Sequence, residues 1–176
     1  IEGLAVDTEL RWAFVQRLAA AGLLDEEEIA AEYERDKTAA GERHAASARA
    51  AQPSEEAKAR AWAEVVDSGE LPNSLQEAVI SGFVQPDQRE LLAPYTEKYF
   101  ASVKGVSDSR SHEMAQQIIV GLYPALQVSQ ETLDATDAWL ASAEPSAALR
   151  RMMSESRSGV ERALKAQAAD AAAATA

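Results

Sequence analysis

The chain has 176 residues, a formal net charge of -12 and no cysteine. That charge repels nucleic acid and anionic lipid. The missing thiols exclude a disulfide framework and cysteine chemistry, which fits a reducing, cytoplasmic setting. Alanine, the best helix former, is the commonest residue, while glycine and proline number only 8 and 6. With no alternating strand pattern, the chain reads as all-α, a single helical domain over 1–176. No apolar run approaches the ~18 residues that span a bilayer, so no membrane partner is expected. It opens Ile1-Glu2-Gly3-Leu4 without an initiator Met, so it is expected to be a piece of a longer polypeptide.

Asp7 and Thr8 cap a first helix through about Ala20. Leu10, Phe14 and Leu18 recur one turn apart and are expected to face inward, with Trp12 and Val15 widening the stripe. Gly22 ends it. Asp25 opens the second helix. Glu28 completes a capping-box spacing, and Ile29 and Tyr33 form the inward pair. This helix fades near Thr38 to Gly41, and an alanine-rich helix follows from about Glu42 to Ala51.

Pro53 and Ser54 open the next helix, whose stripe of Ala61, Trp62, Val65 and Val66 stops at Gly69. After Leu71-Pro72, Asn73 or Ser74 caps a helix with Leu75, Val79, Ile80 and Phe83 on its core face. Gln85-Pro86-Asp87 starts another, which Pro94 must kink or split. A looser connection is expected over Gly105 to Ser109.

A helix from about Ser111 carries Met114, Ile118, Ile119 and Leu122 and breaks at Tyr123-Pro124. Ser129 caps the next, with Leu133, Thr136, Trp139 and Leu140. Pro145 and Ser146 open the last long helix, with Leu149, Met152, Met153, Val160 and Leu164. Residues 169–176 show no apolar period and are expected to fray. About nine helices in antiparallel pairs give an irregular helical-repeat array of the HEAT/armadillo kind.

His112-Glu113-Met114-Ala115-Gln116 begins like the zinc-peptidase signature H-E-x-x-H. That chemistry needs histidines one helical turn apart, so both imidazoles meet one ion, with the Glu as general base. Gln116 replaces the second imidazole, and a neutral carboxamide is a poor zinc ligand. Ala135 stands where the third, carboxylate ligand would fall. No metal site is expected, and no catalytic residue.

His44 reads as a solvated surface residue. The acidic stretch Asp25 to Glu28, continued by Glu32, Glu34 and Asp36, reads as a helix start and a solvated face. Trp12, Trp62, Trp139, Tyr95 and Tyr99 fall at core spacing. Arg89, Arg110, Arg150 and Arg151 fit surface ion pairs, but an arginine can also hold a carboxylate bidentately. Arg89 and Arg110 are the two substrate-contact candidates.

Five stretches carry a family resemblance. They are Gly3 to Trp12, Leu71 to Val79, Gln85 to Tyr95, Gly121 to Gln127, and Ala148-Leu149-Arg150-Arg151 through Gly159 to Leu164. Over nearly the whole chain they resemble the C-terminal region of bacterial zinc aminopeptidase N, especially the actinobacterial type. The resemblance implies a hydrolase parent that removes N-terminal residues from peptides. Zinc, the H-E-x-x-H region and a G-x-M-E-N loop would lie upstream, on the catalytic domain that is this segment's partner. This segment would enclose the active-site chamber and limit access by peptide substrates. The competing reading is a stand-alone helical-repeat scaffold that docks a peptide or protein.

Overall fold

The computed structural model describes residues 6–142 and 144–174. Among these residues every regular element is helical, so the chain is all-α. It falls into two compact units, residues 1–91 and 92–176.

In the first unit, α1 runs Thr8–Ala20. The Asp7 carboxylate accepts the Leu10 amide at 2.8 Å. The helix ends in a Schellman turn: Gly22, at φ +71°, donates to the Ala19 carbonyl at 3.0 Å and Leu23 to that of Leu18 at 2.9 Å. α2 spans Glu26–Arg35 behind the anticipated capping box, with Asp25 and Glu28 each accepting the other's amide.

α3 spans Ala39–Ala51, and its N-cap is Thr38, whose hydroxyl accepts the Gly41 amide at 3.1 Å. It starts earlier than expected because Thr38 supplies this cap. α4 covers Glu55–Trp62 behind Ser54, and a π-helical stretch, Ala63–Ser68, carries the chain to Gly69 at φ +67°. α5 spans Asn73–Phe83. Neither Asn73 nor Ser74 caps it. Pro72 holds the N-cap position, and its carbonyl accepts from Leu75 and Gln76.

α1 packs on α2 and α3, and α3 on α5. The core gathers Trp12, Ala19, Ile29, Ala45 and Ala48, with Val15 and Tyr33 against it. The inward face of α1 is therefore Trp12, Val15 and Ala19. Phe14 and Leu18 lie exposed instead, because the indole occupies the space a Leu10–Phe14–Leu18 stripe would need.

The negative ends of three helices in this unit are tied together by two buried side chains. Lys58 Nζ donates to the Ala50 carbonyl at 2.8 Å and the Phe83 carbonyl at 3.0 Å. Gln88 Nε2 donates to those of Ala20 at 2.9 Å and Ala51 at 2.8 Å. These are helix-terminal acceptors that no intrahelical amide reaches. A cation and an amide are well suited to them.

A 3-10 turn, Pro86–Gln88, leads into the four-residue α6, Arg89–Leu92. Pro94 separates α6 from α7, Tyr95–Ser109. This split yields ten α-helices among the described residues where about nine were expected. α7 is continuous through Gly105 to Ser109, against the expected loose connection: Val103 and Val106 are buried and hold that stretch helical.

In the second unit, α8 (His112–Gly121), α9 (Gln130–Ser142) and α10 (Ala147–Ala174) complete a four-helix arrangement with α7. α7 touches α8 and α9, and α10 touches the same two. Tyr99 is the centre of this core. Its hydroxyl donates to the Ile119 carbonyl at 2.6 Å and lies 3.2 Å from Met153 Sδ. Its ring meets Tyr123 edge-on at 5.7 Å. From Lys165 to Ala174, α10 buries no side chain. Residues 175–176 of the anticipated fray lie outside the described residues.

Candidate functional site

His112, Glu113 and Gln116 all lie exposed on the first turns of α8, behind the Ser111 cap. Their placement fits a solvated helix start. No group of three or more His, Asp or Glu side chains able to hold a metal ion occurs among the described residues. This donor set does not fit zinc.

His44 is not the solvated residue its local sequence suggested. It stacks on Trp12 with ring centroids 5.5 Å apart. Its Nδ1 lies 3.2 Å from Gln16 Nε2 and its Nε2 3.3 Å from Glu9 Oε2. With both ring nitrogens engaged and no hydroxyl partner, His44 serves packing rather than proton transfer. Asp36 accepts the Trp12 Nε1–H at 2.9 Å and the Thr38 hydroxyl at 2.8 Å. These two bonds, Trp12 first, hold its carboxyl below the ordinary value.

Glu32, expected on the solvated face, is buried. Arg11 grips it with two hydrogen bonds and Arg35 approaches at 3.5 Å. Pairing with Arg11 outweighs desolvation, so its pKa is lowered. The remaining acids of the stretch, Asp25 to Glu28 and Glu34, are exposed as expected, whereas Asp36 is half-buried.

Lys58 is fully buried, and burial pulls its pKa down to about 8. Such a shift marks catalytic lysines in some sites. Here the ammonium is committed to two helix-end carbonyls and sits 5.5 Å from the Phe83 ring centroid. Its role is structural.

Arg89 is exposed at the start of α6, in the first unit, and Arg110 is half-buried at the C-cap of α7, in the second. Arg151 pairs with Glu155 at 2.7 Å, as a surface arginine would. Trp12, Trp62, Tyr99 and Trp139 are buried as their spacing predicted, while Tyr95 is half-buried.

A groove that sequence reasoning missed lies in the second unit. It has a volume of about 540 Å³ and is lined by residues including Pro94, Glu97, Phe100, Ser129, Glu131 and Thr132. Its amino-acid signals were the proline that splits α6 from α7 and the Ser129 cap. Glu131 is held below the ordinary carboxylate value by its own backbone amide and the Ser129 hydroxyl. Thr132 Oγ1 is already spent on the Gln127 carbonyl at 2.7 Å. A mostly apolar groove with two carboxylates in its lining has the make-up of a binding surface, and the Ser129 hydroxyl beside Glu131 also caps α9 through the Thr132 amide.

Residues 1–162 match the sequence profile described as the ERAP1-like C-terminal domain. The chain is also 79% identical over 174 residues to Aminopeptidase N of Streptomyces lividans. The match covers 99% of this chain and 20% of that protein, so the chain spans about one fifth of its curated relative's length. The chain belongs to the ERAP1-like C-terminal domain family.

Proposed function

We propose that this chain is the non-catalytic C-terminal domain of a zinc metallo-aminopeptidase that removes N-terminal residues from peptides. In this reading it packs against the catalytic domain of the same polypeptide, encloses the chamber and limits which peptides enter. The single observation that supports it best is 79% identity, without a long gap in coverage, to part of a protein named Aminopeptidase N. The side-chain inventory agrees: His112 lacks a second imidazole partner, and no three metal-ligating groups converge among the described residues. Zinc, in this reading, belongs to the upstream domain.

Arg89, in the first unit, and Arg110, in the second, are each proposed by itself as a contact for a peptide carboxylate. A guanidinium offers a planar pair of donors that matches a carboxylate. The exposure of Arg89 leaves it accessible for that role.

The test is made on the full-length polypeptide and on one truncated before residue 1. Both are assayed with a small aminoacyl chromogenic substrate and with a peptide of about 20 residues, long enough at ~3.3 Å per residue to report on chamber size. The reading expects truncation to raise the rate on the long peptide relative to the small substrate. An unchanged ratio, with the truncated enzyme still folded by circular dichroism, would refute the access-limiting role.

A further inference from the structure

α1 is apolar on both sides. Trp12, Val15 and Ala19 enter the core of the first unit. On the opposite side Leu10 is half-buried, while Phe14 is 48% and Leu18 40% exposed. These three stand at successive four-residue steps, one continuous stripe along the helix. Leu23 is 68% exposed, and its amide bonds the Leu18 carbonyl at 2.9 Å, so it lies at the end of the same stripe. Val6, 46% exposed, stands just before the helix. These five residues include four of the five large hydrophobic side chains that are exposed among the described residues. A helix apolar on both faces is built to lie between two layers, and α2 and α3 supply only one of them.

We infer that the outer face of α1 is a docking surface for the polypeptide immediately upstream of residue 1, which lays an apolar helix face along Leu10, Phe14 and Leu18. This rests on the reading above, in which the chain is the C-terminal fifth of a longer protein. Three observations select this occupant. The relative extends over five times the matched length, so ample chain exists to supply a covering layer. The uncovered face belongs to the first helix, the one nearest the junction with that chain. The patch is a handful of side chains, against the roughly 20–30 residues that each partner of a stable dimer contributes. A tethered neighbour needs no such extent, because its effective concentration is in the ~mM range.

Because the chain has no cysteine, Leu18→Cys introduces one reporter thiol into it. Its maleimide reaction rate is compared in the 176-residue chain and in the full-length polypeptide, with the modified peptide identified by mass spectrometry. Glu77→Cys, at an exposed position on α5, is the control.

Rapid modification in the short chain and a rate lower by roughly tenfold or more in the long one, with the control fast in both, is the expected result. Equal rates at position 18 overturn the inference. So does protection in the short chain that grows with protein concentration, since a second copy would then be the occupant. Aminoacyl-substrate hydrolysis by the unmodified full-length polypeptide is measured in parallel. Hydrolysis with an unprotected thiol defeats the docking surface alone, whereas protection without hydrolysis defeats only the enzymatic reading.

Discussion

Arg11 holds Glu32 in a two-point grip, Nε to Oε1 at 2.7 Å and Nη2 to Oε2 at 2.6 Å. The pair joins α1 to α2 beside the Trp12–Asp36 bond, so two carboxylates of the nominally solvated acidic stretch fasten the first helix to the second. Arg11 is 41% exposed and Glu32 8%, so solvent screens part of the attraction. Arg11→Ala is expected to lower the urea midpoint at pH 7. Arg11 lowers the Glu32 pKa from its ordinary 4.5. The stability it brings is therefore complete above 4.5 and is lost as pH falls through the lower, folded-state value. The gap between wild type and Arg11→Ala should close on acidification, and a gap that widens below pH 4.5 would contradict the assignment.

Gly82 and Gly105 make opposite predictions for one substitution. A Cβ on Gly82 would collide with the Ser47 backbone carbonyl where α5 crosses α3, whereas one on Gly105 meets nothing within 4 Å. Gly82→Ala is expected to lose ~1–3 kcal/mol through overpacking. Gly105→Ala, in the interior of α7, should gain ~0.5–1 kcal/mol by restricting the unfolded chain. Thermal melts of the two variants against wild type check both signs.

Lys58 titrates near 8 in the folded chain against 10.5 when exposed. Between those values the unfolded chain keeps a proton that the folded chain has released, so this group's contribution to stability rises with pH. Lys58→Met also strands the Ala50 and Phe83 carbonyls, an expected loss of ~2–4 kcal/mol for two buried acceptors. The deficit of the variant should be larger at pH 9.5, inside that interval, than at pH 7.5, below it. A deficit that shrinks across that interval would show that the helix-end carbonyls favour the ammonium more than burial opposes it.

Arg89→Ala, made in the full-length polypeptide, is expected to raise KM several-fold for peptides with a free C-terminal carboxylate. It should leave kcat and the KM for C-terminally amidated peptides unchanged, since only the carboxylate presents the bidentate acceptor. Equal effects on the free and amidated peptides would assign Arg89 to structure.

Much of the helical order was legible because it is written in local chemistry. Asp7, Asp25, Ser54, Ser111 and Ser129 cap where their side chains can reach an amide. Gly22 and Gly69 stop helices at positive φ. What misled was whatever depends on a distant partner. The inward side of α1 could not be read because both sides are apolar, and the choice is made by the room that α2 and α3 leave for Trp12. Gly105 to Ser109 has the composition of a loop, and only the burial of Val103 and Val106 keeps it helical. Glu32 and His44 looked solvated because Arg11 and Trp12 lie 21 and more residues away in the chain. The groove beside Phe100 forms where α7 meets α9, and its local signals, Pro94 and the Ser129 cap, do not reveal that meeting.

In the function proposed above, the hydrolytic step belongs to the upstream domain and this chain only shapes it. Zinc content by inductively coupled plasma mass spectrometry, with aminoacyl-substrate hydrolysis on the same pure 176-residue sample, tests it most directly. The account predicts substoichiometric, dialysable zinc and no turnover above buffer. One tightly held zinc ion per chain together with hydrolysis of the substrate would contradict it.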